Sequence, residues 1–210
     1  MYETFYGLTG KPFQLNPDPA FYFGSRQHRR AMAYLEYGLH QNEGFIVVTG
    51  DVGAGKTTIV RSLLDKLDPE QVVAGNLVST QVDAEDTLRL VASSFGLRTK
   101  DVEKSDLLLA LEAFLVSVCQ QGKRALLIVD EAHLIPGKPT FEEIRLLTNF
   151  QLDDRNLVAI VLVGQPELRE RLRHRAYRAL TQRIGVSFDL VPLAVGDTRD
   201  YLAHRLAVAG

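Results

Sequence analysis

Five short apolar runs, separated by longer stretches of mixed polarity, dominate the hydrophobic pattern of the chain. They are rich in Val, Ile and Leu and occupy residues 45–49, 72–78, 125–129, 157–163 and 186–190. Strands that are apolar along their whole length are typical of a sheet buried on both faces, whereas a half-exposed strand alternates. Because helical segments separate the runs, we predict a parallel sheet between helices, and therefore an α/β fold.

The segments between the runs carry helix signals. Ser25, Asp83 and Ser105 are candidate N-caps, because their side-chain oxygens can accept hydrogen bonds from the first turn of a helix. The segment after Ser105 is apolar on nearly every face, as expected of a helix packed between layers. The predicted helices span residues 25–41, 56–67, 83–95, 105–121, 141–150, 166–174, 177–182 and 197–208.

The first 24 residues differ from the rest in being rich in aromatic residues, Pro, Gly and Asn. Pro12, Pro17 and Pro19 are spaced so as to exclude a helix and to favour extended or turn backbone. We predict that residues 1–24 form an extended arm ahead of the folded core.

Composition and charge exclude several classes of function. The chain has 210 residues, 46% of them hydrophobic, and a net charge of −2. This size suits one domain, and the charge provides no overall positive field for nucleic acid or anionic lipid. Cys119 is the single cysteine, so an internal disulfide is excluded, and a small buried hydrophobe is its simplest interpretation.

The chain lacks the marks of export or membrane insertion. Its amino terminus has neither the basic start nor the apolar core of a secretory signal. The most apolar segment, residues 107–118, is shorter than the roughly 20 residues that a membrane span needs. We therefore predict a cytoplasmic protein.

The sequence GDVGAGKTT at residues 50–58 fits the phosphate-loop pattern G-x-x-x-x-G-K-[ST], between a predicted strand and a predicted helix. Glycines let backbone N–H groups turn around a polyphosphate, and the start of the helix adds the positive end of its dipole. Lys56 can reach the β- and γ-phosphates, and the Thr57 hydroxyl can ligate Mg²⁺. The predicted nucleotide-binding residues are Gly50, Asp51, Val52, Gly53, Ala54, Gly55, Lys56, Thr57 and Thr58.

An acidic doublet ends the third predicted strand. Asp130 is expected at the carboxyl edge of the sheet beside the glycine loop, where it can hold the Mg²⁺ shell. Glu131 is placed to polarise a water molecule for attack on the γ-phosphate. Kinases of small molecules do not need this second carboxylate, because their acceptor brings its own nucleophile. The pair therefore favours hydrolysis.

The tetrad Asp130–Glu131–Ala132–His133 also gives its name to a class of helicases. A two-lobed helicase motor needs two nucleotide-binding lobes of domain size, and this chain has room for one. The helicase interpretation is therefore rejected. His133 has two open interpretations, a sensor of nucleotide or partner and a cap of the turn before Pro136.

Polar residues further along the chain are candidates for reporting or assisting hydrolysis. Gln165 follows the fourth predicted strand and is either a contact of the γ-phosphate or water, or an ordinary loop residue before Pro166. The stretch 166–183 holds six arginines against two glutamates. It can be a solvated helix face, a nucleic-acid contact, or an interface that presents arginine to phosphate on a neighbouring subunit.

Within this stretch the arginines have different interpretations. Glu and Arg neighbours on one helix favour a solvated face for Arg169, Arg171 and Arg173. Arg183 lies just before the fifth strand, where it can project at a subunit boundary and stabilise transition-state charge. Arg178 is the second candidate for that role.

Several segments together resemble a known family. They are MYETFYGLTGKPFQLNPDPAFYF, GFIVVTGDVGAGKTT, LLIVDEAH, EEIRLLTNF, LVGQPELR, RALTQRI and YLAHRL. These segments cover essentially the whole chain and are similar to AAA+ ATPases of the general secretion pathway protein A type. They resemble in particular the group associated with exosortase and exopolysaccharide gene clusters.

The resemblance implies a five-stranded sheet in the order 5-1-4-3-2, ATP hydrolysis with Mg²⁺, and homo-oligomers when nucleotide is bound. It implies an AAA+ core at residues 25–193, with residues 194–210 as the incomplete start of a helical lid that would carry a second sensor arginine further on. It assigns Walker A to Lys56 and Thr57, Walker B to Asp130 and Glu131, the first sensor to Gln165, and the arginines ahead of the last strand to Arg178 and Arg183.

Two departures from the family pattern concern the loop after the acidic doublet and the helical lid, of which only about the first helix is expected here. Relatives usually have Gln where this chain has His133, and the loop that follows is altered. Relatives in general secretion continue into a periplasmic peptidoglycan-binding part, and more distant ones regulate transposition on DNA.

Three functions follow as alternatives. The leading one is an ATPase that powers or regulates an envelope secretion or exopolysaccharide export system, with membrane proteins as partners that bring it to the inner membrane. The second is a DNA-associated regulator of the transposition type. The third is an ATP-binding scaffold with little turnover.

Overall fold

The five apolar runs of the sequence form one parallel sheet in the computed structural model, which describes residues 2–13, 21–41, 43–78, 81–153 and 155–210. In chain order the strands are β1 (Phe45–Gly50), β2 (Val72–Leu77), β3 (Arg124–Val129), β4 (Gln151–Leu152), β5 (Arg155–Asn156), β6 (Val158–Gly164) and β7 (Ile184–Leu190). The sheet has the order β2-β3-β6-β1-β7. Its members are the second, third, fourth, first and fifth strands predicted from the sequence, so the order read from the other edge is 5-1-4-3-2 and the prediction is confirmed. The sequence did not indicate β4 and β5, a short antiparallel hairpin.

Helices cover both faces of the sheet. They are α1 (Tyr2–Tyr6), α2 (Arg26–His40), α3 (Lys56–Lys66), α4 (Ala84–Ser94), α5 (Lys104–Gln120), α6 (Lys138–Leu147), α7 (Pro166–Arg173), α8 (Arg178–Thr181) and α9 (Val195–Ala209). None of the described helices combines the length and apolar character needed to cross a membrane.

The sheet separates two hydrophobic cores. Along β1, Phe45 and Val47 belong to one core, with side chains of α4 to α8, and Ile46 and Val48 to the other, with side chains of α2 and α3. Successive side chains of a strand point to opposite faces, so a strand with a core on each side must be apolar throughout. This explains the continuous runs in the sequence.

The sequence predictions were wrong for the starts of α5 and α6 and for part of the arm. Helix α5 begins at Lys104 with Glu103 as its N-cap, so Ser105 lies inside the first turn. Helix α6 begins at Lys138 with Pro139 in its first turn, a position that proline favours, rather than at residue 141. Tyr2–Tyr6 is helical although the arm was predicted to be extended, because the prolines that exclude a helix all follow it.

The arm packs back onto the last helix. The N–H groups of Thr9 and Gly10 both donate to the Ala209 carbonyl oxygen, at 2.6 and 3.1 Å. The guanidinium of Arg205, which is buried, donates to the Pro12 carbonyl and lies 4.6 Å from the centroid of the Phe21 ring. Pro17 and Pro19 lie outside the described residues.

The start of α2 is tied to the loop after β1. Ser25 is the predicted N-cap, and its Oγ accepts from the His28 backbone N–H and lies 2.6 Å from His28 Nδ1. The His28 ring is buried against the turn at Gly55, where a Cβ would lie 2.4 Å from Nε2. Burial lowers the pKa of His28, while a hydrogen bond to the Ala54 backbone and the Asp197 carboxylate oppose the shift.

This lowered pKa predicts a loss of stability in mild acid. Below the ordinary histidine pKa of about 6.5, the unfolded chain takes up a proton that folded His28 resists. The free energy of unfolding should therefore fall as the pH drops from about 6.5 through the lower pKa of the folded state. Urea unfolding of the wild type and of His28→Asn across this range measures the effect. A constant difference between the two proteins at every pH would contradict it.

Candidate nucleotide-binding site

Glycines shape the turn that joins β1 to α3. Gly53 and Gly55 have φ angles of 79° and 90°, in the left-handed region that side chains disfavour. Gly50 packs against β7, where a Cβ would lie 2.7 Å from the Leu190 carbonyl oxygen. The turn is therefore the phosphate-loop conformation that the sequence pattern predicts, with its glycines at the positions that need them.

Lys56 is the first residue of α3 and is buried. Its Nζ donates to the carbonyl oxygens of Gly50, at 2.8 Å, and Asp51, at 2.9 Å. The ammonium group is thus held inside the curve of the loop by the loop's own backbone. From there it can contact a phosphate bound by the N–H groups around it.

The two predicted metal ligands lie together. Asp130 directly follows β3 and is buried, and the Thr57 hydroxyl donates to its Oδ2 at 3.4 Å. The Glu131 N–H donates to the other oxygen, Oδ1, at 2.9 Å, which fixes the carboxylate. Residues 73 positions apart in sequence therefore meet at one edge of the sheet.

The parallel register accounts for this meeting. Strand β6 lies between β1 and β3, with Gly164 beside Thr49 of β1 and Leu162 beside Val129 of β3. Because all three strands run in one direction, the turns that follow them share the carboxyl edge of the sheet, where open α/β sheets bind ligands.

Glu131 has an unusual backbone and a defined neighbour. Its φ of 52° lies in the left-handed region, which a residue with a side chain seldom adopts. Its Oε2 lies 3.5 Å from Nδ1 of His133, on the 3-10 turn Ala132–Leu134. The carboxylate is partly exposed, so a water molecule can reach it.

Gln165 follows β6 and is the N-cap residue of α7. Its N–H lies 3.4 Å from Nδ1 of the same histidine. His133 therefore contacts both the predicted hydrolytic carboxylate and the predicted sensor segment, and it does not merely cap the turn before Pro136. The sequence alone could not reveal this contact. Residues 133 and 165 come together only because the turn that carries His133 packs on β6, which Gln165 follows.

The sequence pattern did not predict a network of hydrogen bonds that lies beside the phosphate loop. Asp189 of β7 accepts from the Thr49 hydroxyl at 2.7 Å and from Arg169 Nη1 at 2.9 Å. The expectation of a purely solvated helix face was thus wrong for Arg169. It was also wrong for Arg171, which donates to the Ile135 carbonyl oxygen. The signal that could have revealed the network is a charged residue, Asp189, inside an apolar strand.

The two candidate arginines ahead of β7 differ in their surroundings. Arg183 is half-buried, donates to the Thr148 hydroxyl, and accepts at its carbonyl oxygen from the N–H of Phe45, at the amino end of β1. It therefore lies at the sheet edge opposite the loop. Arg178 begins α8 and is exposed.

A cavity of about 300 Å³ adjoins the phosphate loop. Besides the loop itself, its walls include Phe21 and Phe23 of the arm, His28, and Tyr201 and Arg205 of α9. Aromatic and apolar walls next to a phosphate site suit a nucleobase and its sugar. The sequence signalled Phe21 and Phe23 only weakly, through the aromatic composition of the arm, and did not indicate His28, Tyr201 or Arg205 as walls of this cavity.

Comparison with known proteins agrees with this architecture. A sequence profile of the AAA domain family matches residues 39–172. General secretion pathway protein A of Aeromonas hydrophila is 40% identical over 212 residues, an alignment that covers 100% of this chain and 38% of that protein. The chain thus spans less than half the length of the relative it matches.

Solved structures with a similar fold include ORC and Cdc6 proteins. The Aeropyrum pernix ORC2 protein superposes with a TM-score of 0.70 at 15% identity, covering 94% of this chain and 55% of that one. Drosophila ORC bound to DNA gives 0.60 at 15% identity, covering 98% and 57%. Cdc6p from Pyrobaculum aerophilum gives 0.62 at 15% identity, covering 93% and 52%. At these identities the likeness concerns the fold.

The fold, the loop geometry and the two sequence matches lead to one conclusion. The chain belongs to the AAA domain family, with the five-stranded sheet of AAA+ P-loop proteins, and is a relative of general secretion pathway protein A.

Proposed function

We propose that this chain is an ATPase that binds ATP with Mg²⁺ at the phosphate loop and hydrolyses the γ-phosphate. The observation that carries the proposal is the convergence of Lys56, Thr57 and Asp130 at one edge of the sheet, with Lys56 inside the loop and the other two in contact. A lysine, a hydroxyl and a carboxylate in this arrangement suit a magnesium-bound triphosphate.

The residues present fit Mg²⁺. Thr57 and Asp130 offer oxygen ligands, the kind that Mg²⁺ prefers, and it usually keeps phosphate oxygens and water as its other ligands. Within the described part of the chain no group of three or more His, Cys, Asp or Glu side chains could hold a metal ion. When bound, the ion would neutralise charge on the β- and γ-phosphate oxygens.

Glu131 is the proposed base that orients and polarises the attacking water. It follows Asp130 directly and remains partly open to solvent, so water can approach from its side. Gln165, at the end of the neighbouring β6, is the proposed contact of the γ-phosphate or of that water. Its position beside β1 supports this role.

We further propose that nucleotide-bound subunits assemble and that an arginine acts across the interface. Arg183 lies at the sheet edge opposite the phosphate loop of its own chain, and Arg178 is exposed. Both positions suit a residue that acts on a neighbouring subunit. An arginine supplied in this way stabilises charge in the transition state.

The cellular role is proposed from the relative. General secretion pathway protein A is 40% identical across this chain, which supports a role in powering or regulating an envelope secretion system. An exopolysaccharide export system is the specific form we propose, with the ATPase on the cytoplasmic side and membrane proteins of the system as partners.

A role on DNA has less support from the arginine-rich stretch than its charge suggests. Of its six arginines, Arg169, Arg171 and Arg183 bond to other described residues. Arg173, Arg175 and Arg178 are exposed. Fewer free guanidinium groups mean fewer released counterions and weaker binding.

The separate roles proposed for Lys56 in binding ATP and for Glu131 in hydrolysis can be tested. Glu131→Gln should retain ATP binding and lose turnover by roughly 10²- to 10⁴-fold, because only the base is removed. Lys56→Ala should lose both, because the charge inside the loop is gone. Fluorescent ATP analogues measure binding, and phosphate release measures turnover. Equal, negligible turnover in the wild type and Glu131→Gln would favour the scaffold alternative.

The arginine can be tested by mixing subunits. Arg183→Ala should slow turnover by roughly 10³-fold or more without loss of ATP binding. Mixing it with inactive Lys56→Ala should restore activity, because one subunit then supplies the loop and the other the arginine.

Thr148→Val is the matched control for this experiment, since it removes the intramolecular partner of Arg183 and leaves the guanidinium. An equal loss in Thr148→Val would assign Arg183 a structural role. Arg178→Ala, assayed in parallel, would then be the expected inactive variant. Turnover per subunit that does not depend on protein concentration in any of these proteins would rule out action across an interface.

The proposed function also predicts weak binding to DNA. With ATP present, retention on duplex DNA should be negligible at roughly 50 mM salt and unchanged in a variant with Arg173, Arg175 and Arg178 replaced by Ala. Retention that falls steeply with salt, and is lost in the variant, would instead favour the DNA-associated function.

A further inference from the structure

His133 is half-buried beside Glu131 and Gln165 and has no role in the function proposed above. Its side chain is 9% exposed and belongs to the 3-10 turn that follows Glu131. That turn packs tightly on β6, where a Cβ on Gly164 would lie 3.2 Å from the His133 backbone nitrogen. The backbone that carries the ring is therefore held against β6.

One ring nitrogen faces two partners. Nδ1 lies 3.5 Å from Oε2 of Glu131 and 3.4 Å from the backbone nitrogen of Gln165. A protonated Nδ1 can donate to the carboxylate, whereas an unprotonated Nδ1 can accept from the Gln165 N–H. The two contacts require different tautomers of a neutral ring, so Nδ1 serves one partner at a time.

We propose that His133 is a positioning residue that couples the orientation of Glu131 to the segment at Gln165. With the proton on Nδ1, the ring holds the Glu131 carboxylate. With the proton on Nε2, the ring releases Glu131 and binds the start of α7 through the Gln165 N–H. The proton lost from Nδ1 is replaced by one on Nε2 through exchange with water, so the ring stays neutral.

This inference rests on the proposed ATP hydrolysis and deepens it. A nucleotide whose γ-phosphate contacts Gln165 would move the start of α7. Through His133 that movement would free or hold the carboxylate that polarises water. The ring thereby links the detection of the γ-phosphate to the group that removes it.

Two substitutions separate positioning from packing. Asn places an amide group near the position of Nδ1 and can donate or accept there, whereas Ala removes the contact. His133→Ala should lower kcat by roughly 10- to 100-fold, as loss of an orienting partner generally does, with ATP affinity nearly unchanged. His133→Asn should recover most of the loss. Equal losses in both variants, or wild-type turnover in His133→Ala, would overturn the proposal.

A double substitution tests whether the effect passes through Glu131. If His133 acts by orienting that carboxylate, His133→Ala should have little further effect in Glu131→Gln, because residues that act as a unit are not additive. Independent, multiplicative losses would assign His133 a separate structural role and contradict the coupling.

A spectroscopic measurement makes the test independent of hydrolysis. The ¹⁵N spectrum of histidine-labelled, nucleotide-free protein distinguishes the two tautomers, and His133→Asn identifies the signal. Glu131→Ala should shift His133 toward the form with unprotonated Nδ1, because only the Gln165 N–H remains as a partner. Glu142→Ala, which removes an ion pair with Arg145, is the matched control and should leave the signal unchanged.

An unchanged His133 signal in Glu131→Ala would overturn the coupling, whatever the turnover of the wild type. A signal that responds in a protein with no measurable hydrolysis would instead refute the proposed function and leave the coupling standing.

Discussion

The parallel register of β1, β6 and β3 is the constraint on which the candidate site depends. These strands lie side by side and run in one direction, so the turns that follow them open at the same edge. Lys56 comes from the turn after β1, Asp130 from the end of β3 and Gln165 from the end of β6. A reversed strand would place its carboxyl end at the opposite edge of the sheet, and a shift by one residue would exchange the side chains that face the two cores. Either change would separate these groups.

The same arrangement divides the site into rigid and adjustable parts. The phosphate loop and Asp130 are held by backbone and hydroxyl contacts within well-packed elements. Glu131 and Gln165, in contrast, share a single nitrogen of His133 at distances near the limit of a hydrogen bond. The groups proposed to hold phosphate and metal thus have fixed partners, whereas those proposed to act at the γ-phosphate contact one shared ring nitrogen.

The sequence predicted the fold well because its signals are local or nearly so. Continuous apolar runs reflect strands with a core on each face, and the phosphate loop is a short motif in which Gly53 and Gly55 adopt a backbone that glycine favours. Helix starts were less predictable. Ser105 is a good cap by residue type, but α5 begins one residue ahead of it, since packing against the sheet outweighs a single capping bond.

The sequence by itself determined the α/β class, the phosphate loop and the acidic doublet, because each is written in adjacent residues. Only the tertiary structure decided the partners of His133, the pairing of Asp189 with Thr49 and Arg169, and the burial of Arg205 against the arm. These contacts join residues far apart in sequence, and a side chain's residue type does not specify which distant group will lie within its reach.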